Sequence, residues 1–196
     1  MSRYTGPRVK IMRALGADLP GLSSKSMERR PYPPGQHGQM RRKLSEYAVR
    51  LQETKKLRMN YGLSEKQLRR LITEAAASRE VSTDKLLELV ERRLDNVVFR
   101  AGFARTIPAA RQMVCHGHIL VNGKRADVAS FRVKAGMEIS MKKKPEAAPD
   151  VKNPSPEWLE ADAAEGKAKV LALPTTDALL VDLNVNLIIE HYSRRI

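Results

Sequence analysis

Residues 118–141, HILVNGKRADVASFRVKAGMEISM, mark the point where the chain changes its period. Upstream, apolar residues recur every three to four positions; here they alternate. Ile119, Leu120 and Val121 lead into Asn122-Gly123, a pair that tolerates the positive φ angles of a type I′ turn, so 119–121 and the residues from Lys124 onward predict an antiparallel hairpin. Phe131 and Val133 alternate with Arg132 and Lys134, and beyond an Ala135-Gly136 turn Met137, Ile139 and Met141 alternate with Glu138 and Ser140. That is the pattern of half-buried antiparallel strands.

The preceding segments read as helices. In TDKLLELVERRLDNVVFRA (83–101), Leu87, Val90, Leu94, Val97, Val98 and Ala101 form an apolar stripe, predicting one helix from a cap at Ser82 to a stop at Gly102. On a wheel of about 100° per residue, Asp84, Glu88, Glu91 and Asp95 line one flank of that stripe, while Arg93, Asn96 and Arg100, with Lys85 and Arg92, line the other. A charged helix face is ordinarily just solvated. Interspersed signs, however, would gain i,i+4 pairs, and sorted signs suggest that Arg93 and Arg100 face an anion while Glu88 and Asp95 stay exposed opposite.

TIPAARQMVCHG (106–117) predicts a further helix, capped by Thr106, with Pro108 in its first turn and Gly117 at its end. Ala110, Met113 and Val114 turn inward; Arg111 and Gln112 project. Arg93, Arg100, Arg105 and Arg111 then make a basic patch, and arginine suits phosphate because its planar fork binds bidentately and stays charged. Helices followed by a small sheet give an α+β module over 82–144.

Working outward, Ser45 can cap a helix carrying Tyr47, Leu51, Leu57 and Tyr61, ended by Gly62. Ser64 and Gln67 form a capping box ahead of a second helix with Leu68, Leu71, Ile72 and Ala75 on one face, and the two helices of this 44–81 domain are expected to pack antiparallel. Residues 1–43, with Pro7, Pro20, Pro31, Pro33 and Pro34 among repeated Arg and Lys, read as a basic extended arm that cannot bury enough apolar surface to order itself. At the other end, 145–182 is an acidic, proline-containing extension expected to pack on the module through Trp158. Leu187, Ile188 and Tyr192 predict a last helix capped near Asn184.

The chain has 196 residues, with 36 Lys+Arg against 22 Asp+Glu, for a formal charge of +14. Residues 1–144 hold 31 basic and 13 acidic side chains, net +18; residues 145–196 hold 5 and 9, net −4. A field of that size attracts a polyanion, and nucleic acid is the commonest one in the cytosol. No window approaches about 18 uninterrupted apolar residues, and MSRYTGPRVK lacks the apolar stretch of a secretory signal, so a cytosolic chain without membrane contact is expected.

Cys115 is the single cysteine, which excludes a disulfide framework and a cysteine-based zinc finger. Cys115-His116-Gly117-His118 lacks a CxxC partner, and the other histidines are His37 and His191. We therefore expect no metal there, with Cys115 packed at the helix end. Neither a Walker loop nor GxGxxG occurs, so no cofactor and no enzymatic activity are expected.

The stretch ERRLDNVVFRAGFARTIPAARQMVCHGHILVNGKRADVASFRVKAGMEI (91–139) resembles the RNA-binding module of the S-four family of small-subunit ribosomal proteins. RNA-modifying enzymes and one class of tRNA synthetase share that module, so the flanks decide. RYTGPRVK (3–10), PPGQHG (33–38), LSEYAVRLQETKKLRMNYGLSEKQ (44–67), PEWLEAD (156–162) and NLIIEHYSRR (186–195) are all similar to the ribosomal family itself. An enzyme would also need a catalytic domain, and an arm, two short helices and a tail are too little for one.

The resemblance implies a structural constituent of the small ribosomal subunit that binds its 16S-type rRNA early, at a helical junction in the body. It implies a position near the path along which mRNA enters, with an influence on decoding accuracy. Partners would be small-subunit rRNA, neighbouring ribosomal proteins including protein five, and mRNA. Carried over by position, RNA contacts would fall on Arg3, Lys10, Arg13, Gln36, His37, Arg41, Arg42, Arg93, Arg100, Arg105, Arg111, Gln112, His116, Asn122 and Lys124. In the family the C-terminal helix, here within 183–196, completes the first helical domain. Some relatives hold the arm with a cysteine-bound zinc; this chain has no cysteine between residues 10 and 34, which implies a zinc-free member whose arm is organised by RNA and packing. The alternative is a noncatalytic RNA-binding ribosome-assembly factor, which would leave the mature subunit.

Overall fold

Seven α-helices and one five-stranded antiparallel sheet give an α+β fold in the computed structural model, which describes residues 4–40, 43–143, 155–174 and 179–193. The chain divides into two compact units, residues 1–83 with 180–196, and residues 84–179. No helix among the described residues is long and apolar enough to cross a membrane.

The first unit contains α1 (Arg8–Leu15), α2 (Glu46–Asn60), α3 (Glu65–Ala76) and α7 (Val185–Ser193). Local chemistry places the helix starts. The Ser45 hydroxyl accepts the Ala48 N–H, and Ser64 and Gln67 exchange side-chain and backbone hydrogen bonds in the capping box. Leu68, Leu71, Ile72 and Ala75 are all buried. The principal helical neighbour of α2 is α7, which also touches α3. Polar groups reinforce this: the Asn184 N–H donates to Glu53 Oε2 at 3.0 Å, Arg50 pairs with Glu190 at 2.7 Å, and the Tyr192 hydroxyl donates to Glu65 Oε1 at 2.5 Å.

The N-terminal segment departs from the expected extended arm. It forms α1, and Met12, Leu15, Leu19 and Leu22 make a buried cluster with Val181. Their i, i+3, i+7, i+10 spacing is that of an apolar helix stripe continued into a turn. Gly16 ends α1 with φ 64°, the left-handed conformation that glycine adopts without penalty. The buried Asn60 side chain accepts the Gly21 N–H at 2.9 Å, and Arg8 donates to the Leu22 carbonyl at 3.3 Å. Polar as it is, the segment has enough leucine to build a small core.

The second unit holds most of α4 (Ser82–Glu91), then α5 (Leu94–Arg100), α6 (Ile107–Cys115), β1 (Ile119–Val121), β2 (Lys124–Arg125), β3 (Glu138–Met141), β4 (Leu159–Asp162) and β5 (Lys167–Val170). The single helix expected from Ser82 to Gly102 is broken. Arg93 is extended (φ −68°, ψ 136°), and residues 129–133 take over the hydrogen bonds a continuous helix would have made. The Leu94 N–H donates to the Phe131 carbonyl at 2.9 Å, the Asp95 N–H to Ala129 at 3.2 Å, and the Val133 N–H to Arg92 at 2.9 Å. That loop is the stretch expected as a strand at 131–134; it contributes one bridge, Arg93 to Arg132.

The Asn122-Gly123 turn has φ 49° and 75°, as a type I′ hairpin needs. The sheet order is β2-β1-β3-β5-β4. Its last two strands come from the C-terminal extension, which joins the sheet as a hairpin instead of only lying on it: Ile139 stands opposite Ala168, and Leu159 opposite Val170. Trp158, at the start of that hairpin, is buried. The alternate residues Ile119, Val121 and Ile139 turn inward, in the same unit as the buried Leu86, Leu94, Val97, Val98, Phe99, Ile107, Ala110 and Val114.

Candidate nucleic-acid interface

The break at Arg93 decides what the charged stripes do. With the helix interrupted, acids and bases that a wheel puts on opposite flanks meet in the interior. Arg93 Nε and Nη2 donate to the two oxygens of Asp95 at 3.2 and 3.1 Å, and Arg111 Nη1 lies 3.9 Å from Asp95 Oδ2. Arg100 Nε and Nη2 donate to Glu91 at 3.1 and 3.0 Å, and Asn96 Nδ2 donates to the Glu91 backbone carbonyl and to its carboxylate at 2.9 and 2.7 Å. The Arg93 and Arg100 side chains are 6% and 2% exposed, so both are corrected from an exposed flank to the interior, and Asp95 with them. Buried charges survive only when paired and hydrogen-bonded, which is what the geometry supplies.

Burial pushes the Asp95 carboxyl above its ordinary value, against the pull of Arg93 and Arg111. Burial acts the same way on Glu88, but its ion pairs with Lys85 and Arg92 together outweigh it and hold that carboxyl below the usual range.

The remaining sequence-predicted residues of this unit stay at the surface. Arg105, Gln112, His116, Asn122 and Lys124 are exposed, and Arg111 is half-buried. Thr106 caps α6 through the Ala109 N–H, which sets the phase that projects Gln112 outward. The end of α6 and the β1–β2 hairpin are brought together: Arg125 lies over Gly117, where a Cβ would stand 2.3 Å from Arg125 Nε. The His116 and His118 rings are 6.2 Å apart, and the Lys142 N–H donates to the His118 carbonyl at 2.8 Å. Arg125, His118 and Lys142 thus join a surface that sequence reasoning assigned to fewer residues. The signal was present, since Arg125 follows Lys124 in the hairpin. Asn122 is partly engaged by the fold, its Oδ1 accepting the Glu138 N–H at 2.8 Å.

In the first unit Lys10, Gln36 and His37 are exposed. Arg13 is instead turned inward: Nε donates to the Arg30 and Tyr32 carbonyls, both at 3.0 Å, and its guanidinium sits 5.1 Å from the Tyr32 ring centre. It clasps the N-terminal segment. Arg3, Arg41 and Arg42 lie outside the described residues. Cys115 is exposed rather than packed at the helix end. Among the described residues no group of three or more His, Cys, Asp or Glu could hold a metal ion.

Comparison with known proteins agrees with the resemblance read from the sequence. Residues 3–91 match the family model for the ribosomal protein S4/S9 N-terminal domain, and residues 92–139 match that for the S4 domain. The boundary between the two falls at the break between α4 and α5. The small ribosomal subunit protein uS4 of Methylobacillus flagellatus is 52% identical over 205 residues, covering all of both chains. The uS4B protein of Nitrosomonas europaea is 49% identical and the uS4 protein of a Synechococcus species 48%, again over the full length of each. With both domain models matched in order and relatives this similar from end to end, the chain belongs to the uS4 family of small-subunit ribosomal proteins.

Proposed function

We propose that this chain is a primary binder of small-subunit rRNA that nucleates assembly of the body and, seated near the path of incoming mRNA, contributes to decoding accuracy. Its family is one of structural ribosomal proteins rather than enzymes. The observation that carries the reading is the exposed basic surface formed by the end of α6 and the β1–β2 hairpin, with Gln112, His116, Lys124 and Arg125 outward, while Arg105 is exposed just ahead of α6. Such a surface positions a protein on phosphates, and the exposed polar tips can reach splayed bases. Lys10, Gln36 and His37 extend the proposed contacts in the other unit. Arg100, sealed on Glu91, ties α4 to α5 in the interior instead of touching RNA. Neighbouring ribosomal proteins, protein five among them, and mRNA complete the proposed partners.

Filter binding of the full chain to fragments of 16S-type rRNA across a salt series tests this. The expected log-log slope corresponds to roughly 6–10 neutralised phosphates. A slope near zero, or equal affinity for any RNA of the same length, would overturn it. Recovery of the chain at one copy per purified mature small subunit separates a resident protein from an assembly factor.

A further inference from the structure

An acid buried beneath a cationic surface is a puzzle if only net charge matters. Asp95 is 1% exposed and sits in the first turn of α5, yet the Arg111 it approaches projects from α6 with 17% of its side chain exposed. We propose that Asp95 is a positioning residue for RNA binding: it gathers the Arg93 and Arg111 guanidiniums around one carboxylate, so that Arg111 meets phosphate already oriented. The inference rests on the rRNA-binding reading above.

The geometry divides the labour between the two arginines. Arg93 gives Asp95 both prongs of its fork, at 3.2 and 3.1 Å, so that edge of the guanidinium is used up inside the protein. Arg111 meets the same carboxylate through one nitrogen at 3.9 Å. That separation is too long for a hydrogen bond but close enough for a strong attraction in a poorly solvated site. Without the carboxylate, the like charges of Arg93, just ahead of α5, and Arg111 on α6 would push apart. With it, that repulsion is offset, and the long arginine side chain gives up much of its rotamer freedom before RNA arrives. Preorganisation of that kind tightens binding.

The proposal and simple field electrostatics make opposite predictions for Asp95→Asn. Loss of a negative charge raises the net charge, so a long-range field alone would strengthen RNA binding. Positioning predicts weaker binding, by roughly five- to tenfold, with the salt slope falling by about one phosphate. Arg111→Gln should weaken the wild type by a similar factor and cost nothing further in the Asp95→Asn background, a coupling that general destabilisation would not produce. Glu160→Gln, which removes an exposed acid on β4, makes the same charge change and should leave affinity unchanged or slightly raised. All are measured by filter binding of the full chain to the same rRNA fragment, with circular dichroism to confirm folding.

Binding by Asp95→Asn at wild-type strength or better would overturn the proposal, as would full additivity of its loss with that of Arg111→Gln. If Asp95→Asn fails to fold, Arg93→Met with Asp95→Leu replaces the pair by apolar groups. Arg111→Gln should then cost nothing in that background, and a full loss would overturn the idea. A wild-type chain that binds no rRNA would sink the functional reading itself, and this inference with it.

Discussion

Arg100 meets Glu91 edge to edge, two nitrogens on two oxygens at 3.1 and 3.0 Å, although the residues lie nine positions apart across a broken helix. Both side chains are at most 2% exposed. The pair joins the end of α4 to the end of α5, and Asn96 adds a third hydrogen bond to the carboxylate and one to the Glu91 backbone carbonyl. Such a contact ranks as architecture, and its removal tests that.

Glu91→Gln should destabilise the chain by about 3–5 kcal/mol, because it removes the carboxylate charge that balances the buried Arg100. Arg100→Met with Glu91→Leu, which removes both charges, should cost far less. Urea unfolding of the three proteins checks this, and equal losses in the single and double variants would show that the charges do not act as a pair.

Gly117 has φ 73° with the Arg125 side chain directly over it. Gly117→Ala should cost about 1–2 kcal/mol for the left-handed backbone alone, and more for displacing Arg125. Its rRNA affinity should fall along with that of Arg125→Ala. Thermal melts and filter binding together measure it; wild-type stability in Gly117→Ala would contradict the local geometry.

Leu19 is fully buried in the small cluster of the N-terminal segment. In the free protein, Leu19→Ala should cost about 2–5 kcal/mol, the usual loss for a buried leucine. A negligible effect on chemical denaturation would mean that the segment is not folded until RNA holds it.

Tyr192 is pushed above its ordinary pKa of 10.0, by burial first and then by its hydrogen bond to the Glu65 carboxylate. The folded state therefore holds the phenol proton more tightly than the unfolded state. The stability this contributes is complete below about pH 10 and is lost as the pH rises above it. Tyr192→Phe should flatten that alkaline loss while costing about 1 kcal/mol at neutral pH. Urea midpoints from pH 8 to pH 11 give the comparison, and parallel curves for the two proteins would refute it.

Signals confined to a few neighbouring residues were legible from the sequence. Ser45, the Ser64–Gln67 box and Thr106 start their helices, and Asn122-Gly123 turns the hairpin, because a cap or a type I′ turn is satisfied by groups three or fewer residues away. The outward projection of Gln112 also followed from local phase. Tertiary structure decided the rest. The apolar stripe runs on through Arg93 without interruption, but the amides of Leu94 and Asp95 find carbonyls at Phe131 and Ala129 in place of their own helix. That choice turned a charge-sorted surface helix into two helices sealed by internal ion pairs. In the same way β4 and β5 are four residues each, too short to announce themselves, and exist because β3 offers an open edge to pair with. Periodicity reports how one element would bury its own stripe; which hydrogen bonds and counter-charges are available depends on segments dozens of residues away.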